Sequence, residues 1–193
     1  MKKFSPKEIL VPTIVLLVIC VVSAALLGGT NMLTKDKIAS IEAEAKAAAM
    51  QTVMPAAVSF SEAIIADESL EYSEALDADS NISGYAFTVS ENGYGGEIKI
   101  MVGINPDGTV SKVAVLSADN ETPGLGQNIK KDSFLDQFAK KTGSLTVTKT
   151  APSSDTEIQA ITSATISSNA VTRAVNSALA YYSENLAGGE NNG

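Results

Sequence analysis

The sequence predicts an α+β protein: a single N-terminal transmembrane helix, then a domain in which helices pack on an antiparallel sheet. Three observations carry this. Ile9 to Gly29 is one uncharged, mostly apolar run. EIKIMVGI (97–104) places Ile98, Ile100, Val102 and Ile104 at every second position, which is the period of a half-buried strand. The stretch 171–186 repeats apolar residues at Val171, Ala174, Val175, Ala178, Leu179, Tyr182 and Leu186, which is the spacing of an amphipathic helix. Sheet and helix signals follow one another instead of alternating, so an antiparallel sheet covered by a few helices is expected.

The elements follow in order. Residues 1–8 form a short basic tail with Lys2, Lys3 and Lys7. The span 9–29 covers roughly 30 Å at about 1.5 Å per helical residue, enough for the hydrocarbon core of a bilayer. Pro12 falls in its first turn, where a missing N–H does no harm. A cleaved signal peptide is the rival reading, with VVSAAL as its cleavage region, but the apolar run is longer than an ordinary signal core. Lysines ahead of the span favour a cytoplasmic N-terminus and an extracytoplasmic domain. Residues 30–55 are rich in Ala, Glu and Lys and read as a juxtamembrane helix that Pro55 ends.

The folded domain is expected over 56–187. Its first part, 56–83, carries only weak helical periodicity around Phe60–Ile65. GYAFTVSENGYGG (84–96) reads as a strand and a glycine-rich turn. Asn105-Pro106-Asp107-Gly108 is strong turn chemistry and joins EIKIMVGI to TVSKVAVL (109–116), a partner strand with imperfect alternation. A loop containing ETPGLG (121–126) leads to a short helix at Ser133–Lys140 bearing Phe134 and Phe138, and SLTVTK (144–149) offers one more strand. The last helix is expected to be capped by Ser167 or Ser168 and followed by Gly188, with 188–193 disordered.

Composition narrows the chemistry. The chain of 193 residues has a net charge of −8, and the acidic excess lies beyond the N-terminal segment, which argues against nucleic acid as a partner. There is no His, and the one Cys, Cys20, lies inside the apolar run. Disulfides, zinc clusters and iron–sulfur centres are therefore excluded from the soluble part, and no metal site is expected. Redox chemistry here requires an organic cofactor.

Three segments are candidates for that role. Pro123-Gly124 and Gly126 shape a turn that could approach a flat or anionic group, although residue types alone favour a structural turn, and GYGG (93–96) taken alone reads as a glycine-rich turn before a strand more than as a binding loop. The third, QAITSATISSNAV (159–171), crowds the hydroxyls of Thr162, Ser163, Thr165, Ser167 and Ser168 at the mouth of the last helix. A helix N-terminus presents unpaired N–H groups to an anion, although one hydroxyl would suffice for capping alone.

These segments together resemble a known family. TSAT (162–165), continuing through Ile166-Ser167-Ser168, resembles the flavinylation motif of FMN-binding domains, usually Ser/Thr-Gly-Ala-Thr. GYGGEIKIMVGINPDGTV (93–110), ETPGLG with Phe134 and Phe138 after it, and the single N-terminal span match the same family in the same order. Size favours the G subunit of the Rnf ion-translocating electron-transport complex over the related C subunit of the sodium-pumping NADH:quinone reductase. The resemblance implies covalent FMN joined through its phosphate to Thr165, with Thr162, Ser163 and Ala164 completing the motif. It implies a ring edge lined by Glu121, Thr122, Gly124, Leu125 and Gly126. It also implies a flavin transferase for maturation, and membrane and iron–sulfur subunits of an Rnf-type complex as partners. Such a protein passes electrons within a complex linking ferredoxin and NAD to Na+ or H+ movement, and is not an enzyme alone. A stand-alone extracellular flavoprotein and a non-redox anchored binding module are the alternative readings. In three places this chain departs from the pattern: Ser163 stands at the usual glycine, Gln159 at a frequent acid, and Asp119-Asn120 where a His is common.

Overall fold

The computed structural model describes residues 6–187. Helix α1 (Pro6–Val53) is uninterrupted through Pro12, so the expected span and juxtamembrane helix are one element. It holds the one stretch among the described residues long and apolar enough to cross a membrane, with a mean hydropathy of 2.9. The chain divides into two units at Glu44 and Ala45. The last turns of α1 thus belong to the same unit as the sheet, earlier than the boundary at residue 56 that the sequence suggests.

Within the second unit, a six-stranded antiparallel sheet runs β1 (Ser59–Phe60), β3 (Leu70–Leu76), β4 (Ile82–Asn92), β5 (Glu97–Ile104), β6 (Val110–Ser117), with β2 (Ile64–Ile65) also paired to β3. The helical signal around Phe60–Ile65 is therefore wrong. These residues form two short edge strands on β3, in register Ser59↔Leu76 and Ile64↔Tyr72. Strands two residues long carry too little alternation to show in sequence, and pairing with β3 decides their state.

The central hairpin is as the sequence predicts. Ile98, Ile100, Val102 and Ile104 are all fully buried on one face. The Asn105–Thr109 turn closes through Asn105 N–H to Thr109 O (2.9 Å), with Gly108 at φ +80°. The imperfect alternation of β6 has a structural cause: its register with β5 shifts twice, between Lys99 and Ile100 and between Val102 and Ile104. Irregularities of that kind bend a strand and break its period.

Helix α3 (Thr165–Tyr181) covers one face of the sheet with Val171, Ala174, Val175, Ala178 and Leu179. Tyr182, just past it, meets Tyr85 edge to face at 5.6 Å, and its hydroxyl donates to Pro106 O. The other face belongs to the end of α1. Val53 and Met54 pack with Ala57, Ala75, Ala86 and Met101. Gly84 and Gly103 make the slot for them, since a Cβ at Gly103 would run into the Val53 carbonyl and one at Gly84 into Met54.

The helix expected at Ser133–Lys140 is shorter and mixed: one α-turn, α2 (Asp132–Leu135), then a 3-10 turn over Asp136–Phe138. Phe134 and Phe138 still meet edge to face, at 5.5 Å. The strand expected at SLTVTK is β7 (Thr146–Thr148). It pairs in parallel with β8 (Glu157–Gln159), a strand the sequence does not announce, in a separate two-stranded sheet. The expected tail at 188–193 lies outside the described residues, as do the first five residues of the expected tail at 1–8.

Candidate functional site

The two glycine-rich motifs and the hydroxyl-rich segment converge on one side chain. Glu121 is 1 % exposed. Its Oε1 accepts the backbone N–H groups of Tyr94 (2.7 Å) and Gly95 (3.0 Å), at the tip of the β4–β5 hairpin. Its Oε2 accepts the Ser167 hydroxyl (2.6 Å), in the first turn of α3. Burying a carboxylate is costly unless its oxygens are bonded, and here three donors satisfy it. The glycines explain how it fits. A Cβ at Gly93 or Gly126 would strike the carboxylate oxygens, and one at Gly95 would strike the Asn120 carbonyl.

The remainder of ETPGLG forms an exposed turn. Leu125 and Gln127 N–H both bond Thr122 O, and Gly124 takes φ +75° with open space around it. Leu125 turns outward, whereas Gly126 lies buried against Glu121. Of the residues expected along a ring edge, Thr122, Gly124 and Leu125 are thus at the surface, while Glu121 and Gly126 lie beneath them. Tyr94, 68 % exposed, and Ile166 are further large apolar groups on segments that Glu121 ties together. The sequence reading missed both, although Tyr94 stands inside GYGG.

The five hydroxyls have separate fates. Ser168 donates to Ala164 O (2.9 Å) and accepts Ile161 N–H (3.0 Å), and Ser167 is bound to Glu121. The expectation that one of them caps α3 is corrected: the N-cap is Ala164, and no side chain caps the helix. Both hydroxyls instead bridge to neighbouring structure, a role that local sequence cannot show. Thr162 and Ser163 are exposed, and Thr165, half-buried, is the first helical residue. None of these three hydroxyls makes a hydrogen bond among the described residues.

Ser163 occupies a special backbone position. Ala164 N–H bonds Ile161 O (2.9 Å), closing a turn whose third residue, Ser163, has φ +64°. A turn with positive φ only at that position is the type II pattern, which favours glycine there. The motif's usual glycine therefore has a backbone reason, and this chain takes the same conformation with serine.

At the start of α3 the first N–H groups thus have no side-chain cap, and the Thr165 hydroxyl beside them makes no hydrogen bond among the described residues. Such an end attracts phosphate. The flanking surface offers aromatic and aliphatic side chains. This donor set fits a phosphate-bearing planar cofactor.

The comparisons agree in place and order. Residues 93–180 match the FMN-binding domain family, and residues 1–53 match the RnfG N-terminal region. The chain is 33% identical over 187 residues to the G subunit of the Na(+)-translocating ferredoxin:NAD(+) oxidoreductase complex of Acetobacterium woodii, covering 88% of this chain and 89% of that protein. It is 33% identical over 186 residues to the G subunit of the ion-translocating oxidoreductase complex of Methanosarcina acetivorans, covering 92% and 96%. A match of 48% identity over 96 residues to the G subunit of the proton-translocating ferredoxin:NAD(+) oxidoreductase complex of Clostridium ljungdahlii covers 49% of this chain and 51% of that protein, about half its length. Among solved structures, the C subunit of the Na(+)-translocating NADH-quinone reductase from Parabacteroides distasonis shares the fold, with a TM-score of 0.50, 23% identity, and coverage of 59% of this chain and 62% of that one. The chain belongs to the G-subunit family of ion-translocating oxidoreductase complexes, and its FMN-binding domain contains the Glu121–Ser167 site.

Proposed function

We propose that this chain is a membrane-anchored electron-transfer subunit that carries FMN on Thr165, within an Rnf-type complex coupling ferredoxin–NAD electron transfer to Na+ or H+ movement. One observation carries the attachment point. Of the five hydroxyls at the site, Thr165 alone combines a position in the first turn of α3 with the lack of any hydrogen bond among the described residues. A phosphoester at that oxygen sits beside uncapped helix N–H groups, which favour its negative charge. Tyr94, Leu125 and Ile166 supply apolar surface for a flat ring, and the exposed Thr122–Gly124 turn borders them. FMN supplies the redox capacity that the side chains lack.

Attachment is a phosphoryl transfer. The Thr165 oxygen bonds to the flavin-side phosphorus of FAD and the P–O bond to the adenylate half breaks. AMP leaves with those electrons, and the hydroxyl proton passes to solvent or to a base of the transferase. Lys2, Lys3 and Lys7 ahead of the apolar run orient the domain and this maturation step to the outer side. Its partners in this reading are the other membrane and iron–sulfur subunits of the complex.

The test is coexpression of the full chain with a flavin transferase, followed by a denaturing gel. Flavin fluorescence should migrate with the wild-type band, persist in Thr165→Ser and vanish in Thr165→Ala. A fluorescent Thr165→Ala band defeats the assignment.

A further inference from the structure

We infer that Glu121 is the positioning residue of the Thr165 site: it locks the β4–β5 hairpin tip, the ETPGLG turn and the start of α3 into one unit. The inference rests on the attachment reading above. Three facts carry it. The carboxylate is buried, yet all its bonds go to segments distant in sequence, at Tyr94, Gly95 and Ser167. Each of its oxygens serves a different segment, so the side chain is a bridge and not the cap of one turn. Glycines at 93, 95 and 126 clear the space around it and around its own backbone, so two motifs that look like independent loops are built on one residue.

The consequence for Thr165 is geometric. Ser167 lies two residues further along the first turn of α3, and its bond to Oε2 fixes that turn against the loops bearing Tyr94 and Leu125. Without Glu121 the Thr165 oxygen and the apolar side chains move independently. A reacting group misplaced by about 1 Å loses on the order of 100-fold in rate. Glutamine at 121 is isosteric: its amide oxygen keeps both N–H bonds of the hairpin, and its NH2 donates to a rotated Ser167 hydroxyl.

The experiment uses the full chain in detergent, as wild type, Glu121→Ala, Glu121→Gln and Ser167→Ala. Hydrogen exchange is read first, on chains without flavin. Both Glu121→Ala and Ser167→Ala should speed exchange at Tyr94 and Gly95, although the Ser167 hydroxyl bonds to neither. Unchanged protection there in Ser167→Ala overturns the inference, whether or not any flavin attaches and whether or not Glu121→Ala folds. The chains are then mixed with FAD and flavin transferase, and attachment is followed by intact mass. Glu121→Ala should attach roughly 10- to 100-fold more slowly, and its attached flavin should lose the induced visible circular dichroism of wild type. Glu121→Gln should restore both. Wild-type rate and dichroism in both Glu121→Ala and Ser167→Ala overturn the inference. A wild-type chain that never takes up flavin defeats the attachment reading instead, and the exchange result still decides the bridge.

Discussion

Ser163→Gly should make the domain more stable. Ser163 holds φ +64°, its side chain is exposed, and its hydroxyl makes no hydrogen bond among the described residues, so removing the side chain sacrifices no contact. A residue with a Cβ at left-handed φ is disfavoured by roughly 1–2 kcal/mol. Glycine gives back about 0.5–1 kcal/mol through the greater freedom it loses on folding. Taking the midpoints, the difference is a net gain of about 0.75 kcal/mol, or a rise of about 2–4 °C in Tm for a domain of this size. The assay is unfolding of the full chain in detergent, followed by near-UV circular dichroism. That signal reports the ring cluster of Tyr72, Tyr85, Phe87, Tyr181 and Tyr182 instead of the helical content of α1. Ser163→Ala separates the causes, because it removes the hydroxyl and keeps the Cβ, and it should bring no gain. Ser80→Gly and Lys140→Gly serve as comparators, at φ +64° and +63° in other turns. A Ser163→Gly chain no more stable than wild type, or Ser163→Ala gaining equally, refutes the backbone argument.

Because Ser163 already adopts the turn, Ser163→Gly should leave the extent of flavin attachment on Thr165 unchanged; a large increase by intact mass would mean that serine obstructs the transferase. Met54, 2 % exposed and seated over Gly84, should cost about 2–4 kcal/mol when replaced by Ala, and denaturant unfolding that shows no loss would refute the packing of the α1 end on the sheet. Acid should weaken the turns held by carboxylates. The Thr109 hydroxyl and N–H lower the pKa of Asp107, the Asn81 N–H that of Asp77, and the Ser153 N–H and hydroxyl that of Glu157. A pKa lowered in the folded state means a contribution complete above the unfolded value of about 4 and lost as pH falls through the folded one. Asp107→Asn should therefore flatten the fall of stability below about pH 4, measured as the denaturant midpoint at several pH values; an unaltered slope would refute it.

How much was legible follows from the range of each interaction. Ile98, Ile100, Val102 and Ile104 betray their strand because side chains alternate by pure local geometry, and the Val171–Leu179 pattern betrays α3 for the same reason, although the sequence runs that pattern on to Leu186, past the end of α3 at Tyr181. Asn105–Gly108 is legible because its turn is made by its own residues. The strands at Ser59–Phe60, Ile64–Ile65 and Glu157–Gln159 are not. Each is two or three residues long and exists through its partner: β3 for the first two, β7 for the last. At the site, Thr165 and ETPGLG follow from the resemblance to FMN-binding domains, since residue types alone favour a capped helix and a structural turn. The Glu121–Ser167 bond, across 46 positions, leaves no periodic trace. Local reading assigned Ser167 or Ser168 to capping because capping is the commonest local use of a serine at a helix start.

The surplus of hydroxyls at 162–168 has a physical reading once each is followed to its partner. If capping were the purpose, one would bond back to the first-turn N–H groups, and that end of α3 would be closed to an anion. Instead Ser168 spends its hydroxyl on Ala164 O and Ile161 N–H, and Ser167 on Glu121. Those bonds tie the turn to neighbouring structure and leave the first N–H groups without a side-chain cap. The same division explains Ser163: a turn with positive φ reverses the chain between Ile161 and Ala164, and so delivers Thr165 to the helix as its first residue. The bonds that anchor the helix start and the lack of a side-chain cap on it are two aspects of one arrangement. The phosphate tether proposed for Thr165 would need both, since a single bond to a threonine oxygen leaves a large cofactor free to swing unless the surface around it is already fixed.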